Sequence, residues 1–439
     1  MIIILIICIA LQVIRGIPEL VAVLNYYLHS GKTKSDNKAM RNTPFFYIFI
    51  PVLGEQRILR KTVNKILSIN YPKNKYQIVI ITTQKEFLRK EKVTTIEIAQ
   101  RIKEDINNKY NKTLVNVFHY PHTDGYMVHQ VNYALRKLYS PKRDKAYMAL
   151  YNADSCIPKD TFIEAASIIK DEGAQVLQQL ALYVNNFKEF NSHSFFKKYL
   201  LRAGGLYQST YTVGRELPLI TNYTRSLARR GKAKLAYCIG HGMIINFLTL
   251  RSIGWLPEET YNEDLPLGYQ LSAKRIPIYV LKLFERAETP NRFRSIINQK
   301  KIWFWSYLEY PRLFGITRKK MGIKSSALLV LVFRGLVRGL SWYTLSIIYL
   351  IPIIITLWQK EWLLLAVTIT LMVLLQLIPN FLVGLTLNDS TKKSYNAIIT
   401  SVFSIIILFT DSVGPWLASV QYLIKSVSNV YPEKNKTER

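Results

Sequence analysis

The chain has 439 residues, 49% of them hydrophobic, with 59 Lys plus Arg against 29 Asp plus Glu and a formal charge of +30. This length holds one sizeable catalytic domain with a small membrane part. The basic excess comes without a nucleic-acid recognition motif, so it reads as positive-inside bias and attraction to anionic lipid, not as a nucleic-acid surface. Cys8, Cys156 and Cys238 match neither a disulfide framework nor a zinc spacing, and they suit a reducing compartment.

Residues 1–29 read as a retained transmembrane anchor, an apolar run charged only at Arg15 and Glu19, without a basic n-region or a small-x-small cleavage site. Lys32, Lys34, Lys38 and Arg41 follow it, and Arg318, Lys319, Lys320 and Lys324 precede the next hydrophobic block. This asymmetry predicts that the polar segment 30–325 is cytoplasmic and the N-terminus outside. Within it, Phe45 to Val52 is an apolar strand that runs into Leu53-Gly54-Glu55-Gln56. A helix over Arg57 to Ile69 breaks at Asn70-Tyr71-Pro72, and Gln77 to Thr82 is the next strand. Strands apolar on both faces in a β-α-β order predict a parallel sheet under helices.

A charged helical stretch, Lys85 to Lys109, leads to a strand at Leu114 to Phe118, a turn at His122 to Gly125, and a helix over Tyr126 to Lys137. The apolar strand Ala146 to Tyr151 then delivers Asn152 and Asp154 at its C-terminal end. Open α/β sheets bind ligands at those ends, so Glu55, Thr82 and Asp154 converge on one cleft. Further on stand the Gly240-His241-Gly242 turn, Asn262-Glu263-Asp264, and Gln299-Lys300-Lys301-Ile302-Trp303.

In this order, with Ile50-Pro51-Val52 and Gly54-Glu55 ahead of them, the motifs resemble the membrane-anchored, cellulose-synthase-like members of glycosyltransferase family 2. The resemblance runs from about Phe45 to Pro311. It implies an α/β domain of the GT-A type, with a mostly parallel sheet, and an inverting transfer from a nucleotide-diphosphate sugar on Mg²⁺ or Mn²⁺. It implies donor-binding positions at Pro51, Glu55, Thr82, Asn132, Asn152 and Asp154, with Asp154 and Asn152 on the metal. Asp264 matches the base, with Glu263 orienting it or the acceptor, and Gln299, Trp303, His241, Lys300 and Lys301 fall on the acceptor side.

The chemistry agrees. A sugar diphosphate brings negative charge that a carboxylate-held divalent cation neutralises as the glycosidic bond breaks, and inversion needs a carboxylate base for the acceptor hydroxyl. Plainer roles stand beside these: Glu263 and Asp264 as helix caps, His241 as a hydrogen-bonded loop residue, Asn132 as a helix-face polar group and Trp305 as packing. A flat ring at Trp303 stacks on a pyranose or sits at a wet-dry boundary.

The sequence also departs from the family pattern. Thr82-Thr83 stands where an acid reads the nucleobase, which leaves that task to hydroxyls, backbone, Gln84 or Glu86. Asn152 replaces the first acid of Asp-x-Asp, and Ile302 replaces an arginine, for which Lys300 or Lys301 substitutes. Arg215 reaches an anionic acceptor or pairs with Glu216, and Gly204-Gly205 reads as a turn.

Residues 326–424 form the C-terminal transmembrane and interfacial helices, and 425–439 a polar tail. Trp342 to Leu357, Trp362 to Leu382 and Ala397 to about Phe409 read as spans or partial spans. Arg334 and Arg338 make the preceding stretch interfacial, Asp411 leaves the hydrocarbon or faces protein, and Trp416 to Val430 lies along a surface. The expected protein is a multi-pass enzyme of the cell membrane with its catalytic domain in the cytoplasm. Its partners would be a nucleotide-diphosphate sugar, a lipid-linked or growing glycan acceptor and phospholipid, with no nucleic acid. The alternatives are a processive synthase that translocates its polymer, or a membrane subunit that binds glycan or nucleotide without turnover.

Overall fold

The computed structural model describes residues 2–29, 43–89, 93–231, 234–387 and 393–428. The cationic run at Lys32 to Arg41 and the polar tail from Tyr431 therefore lie outside the described residues. Among the described residues nine strands form: β1 (Phe46–Pro51), β2 (Tyr76–Thr83), β3 (Val115–Tyr120), β4 (Tyr147–Leu150), β5 (Val176–Gln178), β6 (Ala181–Tyr183), β7 (Met243–Asn246), β8 (Tyr279–Val280) and β9 (Glu285–Ala287). The main sheet has the order β3-β2-β1-β4-β7-β5-β8, and β6 pairs with β9 in a second, two-stranded sheet. Only β7 runs antiparallel to its neighbours, against β4 and β5. The sheet is therefore mostly parallel, as the doubly apolar strands required.

Alternation places the two cores. Phe46, Ile48 and Ile50 of β1, Ile78 and Ile80 of β2, and Tyr147 and Ala149 of β4 point to one side. Tyr47, Phe49, Val79, Ile81, Met148 and Leu150 point to the other. With period two and both faces covered, all residues of these strands but Pro51 and Gln77 are buried, a burial worth roughly 1.5–3 kcal/mol for each large apolar side chain. The Asn70-Tyr71-Pro72 break packs its tyrosine ring 5.3 Å from that of Phe46 and donates its hydroxyl to Pro44 O at 2.7 Å.

Two expected elements change. The charged stretch after β2 is a 3₁₀ turn, Gln84–Arg89, followed by the helix Thr95–Tyr110. Glu86 sets that boundary, because its Oε1 accepts from the backbone N–H of Thr95 at 3.0 Å and from its hydroxyl at 2.5 Å. Gly204 and Gly205 lie inside the long helix Phe195–Tyr211, not in a turn; the helix passes through a π-helical turn, Thr212–Glu216, into Leu217–Arg230.

Among the described residues, four helices are long and apolar enough to cross a membrane: Ile2–His29, Ser325–Tyr343, Trp362–Leu387 and Asn396–Lys425; Leu345–Gln359 is apolar but shorter. The interfacial stretch and the Trp342 to Leu357 span expected after it meet at Thr344, where Ser325–Tyr343 ends and Leu345–Gln359 begins. Asn396–Lys425 is interrupted at Asp411-Ser412, where Ser412 Oγ donates to Trp342 O at 2.9 Å and accepts from Ser346 N at 3.0 Å. The N-terminal helix keeps a buried polar stripe. Gln12 donates to Ile348 O (2.9 Å), Arg15 to Ser341 O (2.7 Å), and Glu19 pairs with Arg215 (3.0 Å).

Candidate active site

A cavity of about 350 Å³ opens where β1 and β4 end. Pro51 closes β1, and Val52 and Glu55 continue into the cavity wall. After β4 the chain makes a tight turn. Ser155 N donates to Asn152 O at 3.1 Å, Asn152 N to Ser155 Oγ at 3.2 Å, and the Thr62 hydroxyl holds Ala153 O. This turn presents Asn152 and Asp154 to the same cavity.

The opposite wall begins at Gly240-His241-Gly242. Gly242 has φ +67°, its N–H donates to Leu150 O and its carbonyl accepts from Gln179 N, both at 2.7 Å. A Cβ there would lie 2.3 Å from Gln179 O, and one at Gly240 would lie 2.8 Å from Glu263 Oε1. The two glycines thus let His241 and the Asn262-Glu263-Asp264 segment close on one another. His241 Nδ1 pairs with the fully buried Glu285. Burial opposes the imidazolium, but the Glu285 carboxylate, with Glu216 and Asp264 beyond it, outweighs that penalty and holds the pKa above the ordinary histidine value.

Asp264 opens the helix Asp264–Ala273, with Oδ1 accepting from Leu265 N at 2.7 Å. Glu263 makes no side-chain cap bond, and its Oε2 is buried without a hydrogen-bond partner. Pure capping therefore does not account for the pair. Asn262 Nδ2 donates to Ile302 O at 2.7 Å and to Ser306 Oγ at 2.9 Å, which ties this segment to the helix Phe293–Leu308. From that helix Gln299, Ile302 and Trp303 line the cavity, the Trp303 ring lying 6.4 Å from that of Tyr183.

The structure thus brings together Pro51, Glu55, Asn152, Asp154, His241, Glu263, Asp264, Gln299 and Trp303. It does not bring the other expected residues. Thr82 is fully buried, with its hydroxyl 3.0 Å from His119 Nδ1. Asn132 is buried too, and its amide bonds both backbone groups of Leu256 and the Glu258 carboxylate, joining a helix to a loop. Lys300 does not line the cavity; its ammonium is held behind the wall in a buried ion pair with Asp411 and lies 5.0 Å from the centre of the Tyr207 ring. Lys301 is also outside the cavity wall, where burial and then Arg294 lower its pKa. Glu86 is spent on Thr95 and Gln56, so it is not a reader of the nucleobase. Arg215 pairs with Glu19 and not with Glu216. Trp305 is packing, buried against Tyr261 and Tyr422.

Sequence reasoning missed part of the wall: Tyr183, Tyr207, Tyr211 and Tyr237, the carboxyl of Glu216, and Trp342 and Asp411 from the C-terminal helices. Burial pushes the Glu216 carboxyl up to about 7, against the opposing effects of the Thr212 hydroxyl, His241 and the Tyr237 hydroxyl. No local pattern marks these residues, because their convergence depends on the chain path between distant segments.

Residues 43–306, more than half of the chain, match the family described as glycosyltransferase like family 2. The chain belongs to that family. This glycosyltransferase is therefore a transferase enzyme that uses a nucleotide sugar, and its domain is of the GT-A type, with apolar helices at both ends. No curated protein matches its sequence. Among solved structures it is similar to a mannosyltransferase, PcManGT from Pyrobaculum calidifontis in complex with GDP-Man and Mn²⁺. That likeness has 13% identity and a TM-score of 0.49, over 96% of this chain and 99% of that one. It is also similar to TarS 1-349 from S. aureus in complex with UDP-GlcNAc, at 13% identity and a TM-score of 0.42, over 84% and 92% of the two chains. Likenesses this remote carry no argument about donor, metal or acceptor.

Proposed function

We propose that the enzyme is an inverting glycosyltransferase that moves a sugar from a nucleotide-diphosphate donor to a membrane-proximal acceptor, either lipid-linked or a growing surface glycan. The observation that carries this reading is one cavity shared by Asp154 and Asn152 at the strand ends, Asp264 opposite, and Trp342 and Asp411 from the apolar C-terminal helices. An acceptor held beside those helices meets the donor without leaving the bilayer surface.

Asp264 serves as the base. Its carboxylate takes the proton of the acceptor hydroxyl while the oxygen attacks the anomeric carbon from the face opposite the diphosphate; the bond to the diphosphate breaks and the nucleoside diphosphate departs. Glu263 orients Asp264 or the acceptor. Trp303 and Gln299 hold the acceptor sugar, the ring by stacking and the amide by hydrogen bonds. His241, kept toward its charged form by Glu285, adds positive charge to this acidic wall beside that of Lys85.

Among the described residues no three His, Cys, Asp or Glu side chains cluster as a metal cage. One carboxylate and one amide oxygen, from Asp154 and Asn152, fit Mg²⁺ or Mn²⁺ only where substrate phosphate and water complete the shell, which is the usual arrangement for Mg²⁺. Bound there, the ion would neutralise charge on the departing diphosphate.

The layout follows: an anchor at 1–29, a cytoplasmic catalytic domain at 30–325, membrane helices at 326–424 and a tail at 425–439, in the cell membrane. Ser325–Tyr343 suits an interfacial position. Arg338 donates to Leu235 O at 2.7 Å, tying one face to the catalytic domain, while Leu329, Phe333, Leu336 and Leu340 are exposed on another.

The test is release of nucleoside diphosphate from a panel of nucleotide sugars in native membranes, with and without Mg²⁺ or Mn²⁺, beside Asp264→Asn. Metal-dependent turnover of one donor, lost in the variant, supports the reading. Silence across the panel with membrane acceptors present refutes it and leaves the binding role.

A further inference from the structure

We propose that Glu216 is an acceptor-binding residue of this cavity, where its carboxylate accepts hydrogen bonds from hydroxyls of an uncharged acceptor sugar. The inference rests on the transferase reading above and adds a residue and a substrate class to it.

The first support is local geometry. Glu216 ends the π-helical turn Thr212–Glu216. Such turns insert an extra residue into a helix and recur at functional sites. Here the turn separates two neighbours of opposite charge. Arg215 turns outward, its Nε 3.0 Å from Glu19 Oε2 and its Nη2 2.9 Å from Arg15 O. Gly214 permits this approach, since a Cβ there would lie 2.5 Å from Glu19 Cγ. Glu216 turns the other way, into the cavity wall.

The second support is the chemistry around the carboxyl. Its bonds come from neutral hydroxyls, Thr212 Oγ1 to Oε2 at 2.8 Å and Tyr237 to Oε1 at 3.3 Å. A carboxylate has about four acceptor positions, so capacity remains on the cavity side. The groups that act on it from other elements are Asp264 and His241, with His241 already held by Glu285. Tyr183, Tyr211 and Tyr237 share the same electrostatic neighbourhood. A buried carboxyl supported by neutral donors is a cost to the fold, and its place in the wall points to a ligand that repays it.

Charge then selects the ligand. A donor diphosphate would be repelled by this carboxylate, which assigns Glu216 to the acceptor. A uronate or phosphate on the acceptor at this position would meet both Glu216 and Asp264 with like charge. A neutral sugar presents hydroxyl donors to both.

The experiment compares wild type with Glu216→Gln in native membranes, using the nucleotide sugar that the panel identifies. Sugar incorporated into membrane acceptor and free sugar released by hydrolysis are measured separately. Water as acceptor has no need of Glu216. The expected result is a drop in transfer of roughly ten- to a hundredfold, the range for one hydrogen bond to a charged group, with hydrolysis and donor KM unchanged. Equal loss of transfer and hydrolysis, a raised donor KM, or wild-type transfer would overturn the proposal. If Glu216→Gln no longer binds the nucleoside diphosphate, Tyr237→Phe carries the same comparison, since it removes one bond to Glu216 without changing charge. Turnover of no donor sinks the transferase reading itself, and this inference with it.

Discussion

Replacing Lys300 by methionine separates the acceptor-side role expected from the sequence from the ion pair with Asp411 found in the structure. Lys300 and Asp411 are each about 6% exposed at the side chain and bond directly to one another. Lys300→Met therefore strands a carboxylate beside the Tyr207 ring, in a site where Glu19 lies within electrostatic reach of the same tyrosine. Breaking a buried pair from one side costs about 3–5 kcal/mol, whereas replacing both partners by apolar groups is often neutral. Lys300→Met should thus lower the midpoint of thermal unfolding in detergent, and adding Asp411→Leu should restore most of it. The assay is a double-mutant cycle on melting curves with activity measured in parallel. A stable Lys300→Met variant with a selective loss of acceptor affinity would refute the ion-pair account and return Lys300 to the acceptor.

Gly242→Ala should cost at least about 2–3 kcal/mol from left-handed strain plus the clash with Gln179 O, and displacement of His241 should lower turnover beyond the stability loss; wild-type melting would count against it. Asp154→Asn should raise the concentration of Mg²⁺ or Mn²⁺ giving half-maximal activity by tenfold or more, read from metal titrations at saturating donor. Glu216, with a folded pKa near 7, should ionise as pH rises through 7, so acceptor KM should fall across that window in wild type and stay flat in Glu216→Gln. Because this folded pKa is raised, its stabilisation is fully present below the ordinary glutamate value near 4.3 and lost as pH climbs through 7. That loss amounts to about 4 kcal/mol, and melting curves at pH 5 and pH 8 should show Glu216→Gln losing less stability than wild type.

How much of this was legible in the sequence follows from distance along the chain. β1, β2 and β4 announce themselves because each carries its own two-faced apolar pattern, and Asn152 and Asp154 sit immediately past a strand end. The Asn262-Glu263-Asp264 segment was legible as a motif at a helix start, through the resemblance to the family and not through strand patterning. The partners of Asn132 and Lys300 were not legible, because the Asn132 amide is taken up by Leu256, 124 positions later, and Lys300 pairs with a residue 111 positions further on. Glu216 was invisible as a wall residue because one π-helical turn decides which of two adjacent charges faces inward.

The bond between Glu19 and Arg215 also orders events in time. Residue 19 leaves the ribosome long before residue 215 exists, and it belongs to a helix apolar enough to enter a membrane. The stretch of cavity wall that carries Glu216 is therefore packed against a helix made much earlier in synthesis, and a polypeptide cut after that helix would be left with a cavity missing its backing.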